Sequence, residues 1–152
     1  MTVKTQIRNA ISNPAWVCFL WAGMTIAITM VATPARFTAV SATREIALDV
    51  GRVVFAAHNK AELVALVLLL IIVRISGRAV KLWPQCAALA LILIVQVVGL
   101  MPELSARTDM VVAGQTPPAS FVHAIYSSLE LIKLGLLFWT GFSCLGGSGR
   151  AS

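Results

Sequence analysis

The sequence predicts an all-α polytopic membrane protein, with four transmembrane helices in a bundle and an interfacial helical segment before the second span. The first observation behind this is four apolar runs, Ala15–Thr33, Phe55–Val73, Trp83–Met101 and Phe121–Cys144. Each is about 19 residues or longer, and a helix needs roughly 20 apolar residues to cross a hydrocarbon layer ~30 Å thick. The second is composition: 59% of the 152 residues are hydrophobic and only 12% are charged, about half the charge of an ordinary soluble domain. The third is where the charges lie, mostly just outside the runs, as topology signals do. Four spans consume most of the chain, so residues 1–145 read as one transmembrane domain and 146–152, rich in Gly and Ser, as a flexible tail resembling a linker.

Met1–Ser12 is polar and basic, with Lys4 and Arg8. Asn13-Pro14 is a helix start, Asn as the cap and Pro at the first helical position. The first span is too long for a signal-peptide core and has Pro34 where small residues would flank a cleavage site, so it reads as a retained anchor. It is expected to stop before Pro34, because the residue preceding proline disfavours the helical region. Gly23 and Ala27 form a small-xxx-small pair suited to close helix packing.

Ala35–Val54 mixes Arg36, Arg44, Glu45, Asp49 and Arg52 with aliphatic residues, and Ser41 or Thr43 could cap a helix in it. It reads as a segment at the interface or as an extramembrane lead-in to the second span, with Gly51 at the kink between the two. Ile75–Leu82 is a short basic loop, and Trp83-Pro84 opens the third span. Gly99 and Pro102 are expected to close that span, leaving Glu103–Ala119 as a polar loop. Ser120 is a natural cap for the fourth span.

Lys4, Arg8, Arg74, Arg78, Lys81 and Arg150 fall on one side, and Arg36, Arg44, Arg52, Lys60 and Arg107 on the other. The positive-inside rule counts basic residues, and six against five, with Trp16, Trp83 and Trp139 toward the first side, places both termini in the cytoplasm. The expected location is a bacterial inner membrane. The net charge of +6 is scattered and suits anionic lipid headgroups, with no nucleic acid as partner. Cys18, Cys86 and Cys144 form no CxxC and no paired framework, so they read as small apolar residues and supply no metal site.

Inside a span each ionisable group calls for a reason. On the fourth span His123, Tyr126, Glu130 and Lys133 step by three, four and three, which confines them to an arc of about 80° at 100° per residue. On the second, His58, Asn59 and Glu62 share a face; on the third, Gln96 is the polar residue. Counted from the non-cytoplasmic ends, Glu62, Gln96 and His123 lie four to seven residues deep, roughly 6–10 Å, and can meet in one layer. Glu130 and Lys133 lie deeper. The expectation is a polar cleft that opens to the non-cytoplasmic side and narrows toward Lys133. Each part has a plainer reading: Glu130 and Lys133 neutralise each other, Asn59 and Glu62 bridge helices, His58 and Lys60 sit at the headgroups, and Tyr126 is a core aromatic bonded to a carboxylate.

The runs Ala-Thr-Pro-Ala-Arg-Phe, Asp-Val-Gly-Arg-Val-Val-Phe, Asn-Lys-Ala-Glu and Ala-Gly-Gln-Thr-Pro-Pro, with His-x-x-Tyr-x-x-x-Glu-x-x-Lys, resemble small uncharacterised bacterial four-helix membrane proteins of the domain-of-unknown-function type. The resemblance spans most of the chain and implies a fold and no activity. Its motif positions would be Pro34, Phe37, Gly51, Arg52, Phe55, Asn59, Glu62, His123, Tyr126, Glu130 and Lys133.

Three functions from different classes fit these residues. One is a cleft that binds or relays a small polar solute or protons through Asn59, Glu62, Gln96, His123, Tyr126, Glu130 and Lys133. Another is an accessory subunit of a larger membrane complex, or a homo-oligomer, with no activity of its own. The third is an electron carrier with haem b held by His58 and His123 on facing spans. A soluble-type enzyme is disfavoured, since no Ser/His/Asp set, phosphate loop or zinc spacing occurs.

Overall fold

The computed structural model describes residues 2–146, and among them there is no strand. A short helix α1 (Val3–Ile11) precedes four long ones: α2 (Ala15–Thr38), α3 (Arg44–Ile75), α4 (Val80–Val112) and α5 (Val122–Leu145). All four long helices have the length and apolarity to cross a membrane, and the chain is a multi-pass membrane protein of the expected all-α class. Going round the bundle the order is α2, α3, α4, α5 and back to α2, with the α2–α5 and α3–α4 contacts the most extensive. Residues 147–152, the bulk of the expected tail, lie outside the described residues.

Several ends form where local chemistry asks for them. The backbone N–H of Ala15 donates to Asn13 Oδ1 at 3.1 Å. Of the two candidate caps before α3, Thr43 is the one used, accepting from the Ile46 N–H. The N–H of Val122 donates to Ser120 Oγ at 3.2 Å. After α3, Gly77 takes φ +69°, the left-handed turn residue that glycine adopts freely, and the Arg78 guanidinium donates to the Cys144 carbonyl near the end of α5.

Three expected boundaries are overturned. The first span does not stop before Pro34, and the third does not close at Gly99 and Pro102; it continues as helix to Val112 through much of the expected polar loop. In both cases a six-residue π-helical stretch precedes the proline, Ala27–Ala32 before Pro34 and Val95–Leu100 before Pro102. The N–H of Thr33 reaches back five residues to Ile28, and that of Met101 to Gln96. Proline breaks an α-helix because it lacks one N–H and its ring strikes the carbonyl four residues back; a π turn widens the coil and shifts the bonding register there. Nor is there a kink at Gly51: the helical lead-in is continuous with the second span, and α3 runs unbroken from Arg44 through Gly51.

The bundle has three tiers along its axis. At the end holding the starts of α2 and α4 lies an apolar core of Cys18, Trp21, Ala22, Leu69, Val73, Leu89, Leu137 and neighbours. A polar layer crosses the middle. Beyond it the helices part around a cavity. The expected close approach at Gly23 does not occur, since a Cβ there would meet nothing within 4 Å. The tight contact is at Gly141 on α5, where a Cβ would lie 2.9 Å from the ring of Phe19, itself packed on Phe138 and Phe142. Gly141→Leu is therefore expected to cost about 1–3 kcal/mol of stability by overpacking. Gly23→Leu serves as its neutral control. Thermal unfolding of both variants in detergent checks this; equal midpoints would mean the α2–α5 contact is not tight.

Candidate functional site

The polar layer is built on Lys133, which is fully buried in α5. Its Nζ lies 2.6 Å from Glu62 Oε1 and 2.9 Å from Glu130 Oε1, and donates to Gln96 Oε1 at 3.0 Å. Gln96 Nε2 in turn donates to Glu130 Oε1 at 2.9 Å. Glu62 Oε1 also accepts from Trp21 Nε1 at 2.9 Å and from Thr25 Oγ1 at 3.2 Å, so all four long helices contribute. Next to this set, Tyr126 Oη donates to Asn59 Oδ1 at 2.9 Å, joining α3 to α5.

Satisfaction of the layer is incomplete. Glu62 Oε2 and Glu130 Oε2 are buried without a hydrogen-bond partner. So are both ring nitrogens of His58, although its Nε2 stands 3.4 Å from Glu62 Oε1. Buried polar atoms left without a partner cost free energy. Formal charge is also unequal, with two carboxylates facing one ammonium.

Above the layer is a cavity of about 290 Å³. Glu130 and Tyr126 line it, so cavity and polar layer meet at those two side chains. The π-helical part of α2 adds Thr29 and Met30, and the helix beyond the π turn of α4 adds Met101, Leu104, Ser105 and Thr108. Both unexpected helical extensions reach this cavity, that of α2 through Arg36 and that of α4 through Leu104, Ser105 and Thr108. Arg52 ties α3 to α4 by pairing with Asp49 and Asp109 at its rim.

Of the residues singled out in the sequence, Asn59, Glu62, Gln96, Tyr126, Glu130 and Lys133 come together in one buried group. His123 does not join them. It is exposed and lines the cavity two turns before Glu130, where the helices have already parted. His58, expected at the headgroups, is instead 3% exposed. Its depth was misjudged because the second span was started at Phe55, whereas α3 begins at Arg44. Trp21 and Thr25 were missed, although their i, i+4 spacing on span 1 puts both on one face.

His58, Glu62 and Glu130 bring ligand atoms within 4.8 Å of one another, a spacing a metal ion could use. The Lys133 ammonium already bridges the two carboxylates, so a cation there would have to displace it. For haem b, the expected pair His58 and His123 do not face a common space, since the cavity lined by His123 does not include His58. The residues present do not fit that group. Comparison with family models, with curated proteins and with solved structures finds no match.

Proposed function

We propose that the protein binds or relays a proton at the Glu62–Lys133–Glu130 cluster and takes a small polar solute into the adjoining cavity. The observation that carries this reading is that two buried carboxylates share one ammonium and each keeps one oxygen unpartnered. Counting His58 as neutral, the cluster holds one negative charge too many, and an isolated charge inside a membrane is costly. One proton removes the excess and gives an orphaned oxygen a donor role. His58 beside Glu62 and Glu130 at the cavity floor are the two places from which that proton could come or go. Transport through a single narrow four-helix bundle would call for a homo-oligomer.

The loops and the tryptophans Trp16, Trp83 and Trp139, all exposed at the apolar-core end, support an inner-membrane orientation with both termini in the cytoplasm and the cavity on the far side.

In infrared difference spectra taken across a pH titration, wild type is expected to show the carbonyl stretch of a protonated carboxylic acid that shifts in D₂O. Glu62→Gln and Glu130→Gln each keep the shape of the site and are expected to abolish it. In pyranine-loaded proteoliposomes the same variants are expected to lose any proton flux that wild type supports. A wild-type spectrum without such a band at any pH would overturn the reading.

A further inference from the structure

Among the described residues, Arg36 lines the cavity and forms no ion pair. Its Nε is buried and has no hydrogen-bond partner. Asp49 and Asp109 are both paired with Arg52. The Arg36 guanidinium is nonetheless firmly placed: its carbon stands 5.1 Å from the centroid of Phe37 and 5.6 Å from that of Phe55. Against α3 it occupies the space a side chain at position 51 would need, because a Cβ on Gly51 would come within 2.2 Å of Arg36 Nη1. A glycine there seats the guanidinium, and two aromatic rings hold its plane. What remains unfilled is the anion.

From this we infer that the cavity is a binding site for a small apolar monocarboxylate, with its carboxylate on the guanidinium of Arg36 and its hydrocarbon body against Met30, Leu48, Leu104 and Leu131. The chemistry follows from the walls. A guanidinium is matched to carboxylate and phosphate oxyanions by its fork of donors. A single free guanidinium balances one charge, which favours a monoanion over a phosphate dianion. The cavity, at about 290 Å³, is at the small end of ligand sites and its other walls are largely apolar, so the body of the ligand is short and greasy. An acidic lipid could offer a similar oxyanion on an apolar body, as a phosphodiester, so the source must be separated by experiment.

A second clause rests on the function proposed above. Glu130 floors the same cavity, so an anion seated there adds negative charge next to a cluster that already carries an excess. Occupancy of the cavity then favours uptake of the balancing proton, and solute and proton bind together.

The test is calorimetric titration of the full chain in phosphatidylcholine nanodiscs with hexanoate as the probe. Wild type is expected to bind it saturably, one per chain. Arg36→Gln is expected to weaken binding roughly 10- to 100-fold, the loss of a charge-assisted contact. Gly51→Leu keeps the arginine in the chain but evicts its guanidinium from this seat, and is expected to match that loss. Unaltered affinity in Arg36→Gln, or no saturable binding by wild type, overturns the site. Replacing the lipid with phosphatidylglycerol is expected to leave hexanoate affinity unchanged; strong competition would assign the seat to a lipid phosphodiester and overturn the carboxylate assignment. Repeating the titration in buffers of different ionisation enthalpy reads the proton. Uptake on binding, lost in Glu130→Gln, supports the coupling. Binding with no uptake leaves the anion site standing and counts against the proton function alone.

Discussion

Lys133→Met is expected to destabilise the protein by about 3–5 kcal/mol, the range found when one member of a buried ion pair is removed. Its methylene stem is conserved in volume by methionine, so packing changes little. What is lost is the ammonium that lies within 2.9 Å of both Glu62 and Glu130 and donates to Gln96. Two carboxylates are then left facing each other in a buried layer. Adding Glu62→Gln and Glu130→Gln to the same chain removes all three formal charges and keeps acceptors for Trp21, Thr25 and Gln96. That triple variant is expected to regain most of the stability, because replacing a whole buried ionic set by neutral groups is often close to neutral. Unfolding midpoints in detergent, compared for the single and the triple variant, give the answer. A single variant within about 1 kcal/mol of wild type would mean that the ammonium is not what holds the layer together.

Trp21→Ala is expected to cost about 3 kcal/mol. The side chain is the largest of those fully buried, and its removal opens a cavity between the apolar core and the polar layer. The figure is set at the lower edge of values for soluble cores, because separated helices resting in lipid lose little by exposing an apolar ring. Trp21 does a second thing: its Nε1 donates to Glu62 Oε1 at 2.9 Å. Trp21→Phe keeps most of the ring and deletes the donor, with an expected cost of about 1–2 kcal/mol. A double-mutant cycle of Trp21→Phe with Glu62→Leu, which leaves the indole no acceptor, isolates this contact. A coupling energy of zero would show that Trp21 acts by packing alone.

The four spans, the caps at Asn13 and Ser120 and the polar stripe on the last helix were legible because each rests on a period or a local hydrogen bond. Spacing of three and four residues puts Tyr126, Glu130 and Lys133 on one face whatever they touch. The partners across the bundle were legible in part: Glu62 and Gln96 stood out as polar residues in apolar runs, whereas Trp21 and Thr25 passed as ordinary members of theirs. The ends of the first and third spans were misread at Pro34 and Pro102. The rule that proline stops a helix assumes an α-helical register, and here a π turn has changed that register just before each proline. The same error hid the cavity, since the residues that wall it on α4 were assigned to a loop. His123 was placed one layer too deep because helical spacing fixes a face and says nothing about where neighbouring helices diverge.

A π turn amounts to one residue more than an α-helix needs at that point. One extra residue rotates everything beyond it by about 100° relative to an uninterrupted helix. The two π stretches therefore act as phase shifters in α2 and α4, setting the azimuth of the cavity walls separately from that of the apolar core. Through Val95–Leu100, Gln96 can face the buried lysine while Met101, Leu104 and Thr108 face the cavity, a combination that a straight helix would have to reach by other residues. In such an architecture the length of the helix, counted in single residues, is itself a determinant of the site. A one-residue deletion within either stretch would leave the span intact as a span and turn its far end away from the cavity.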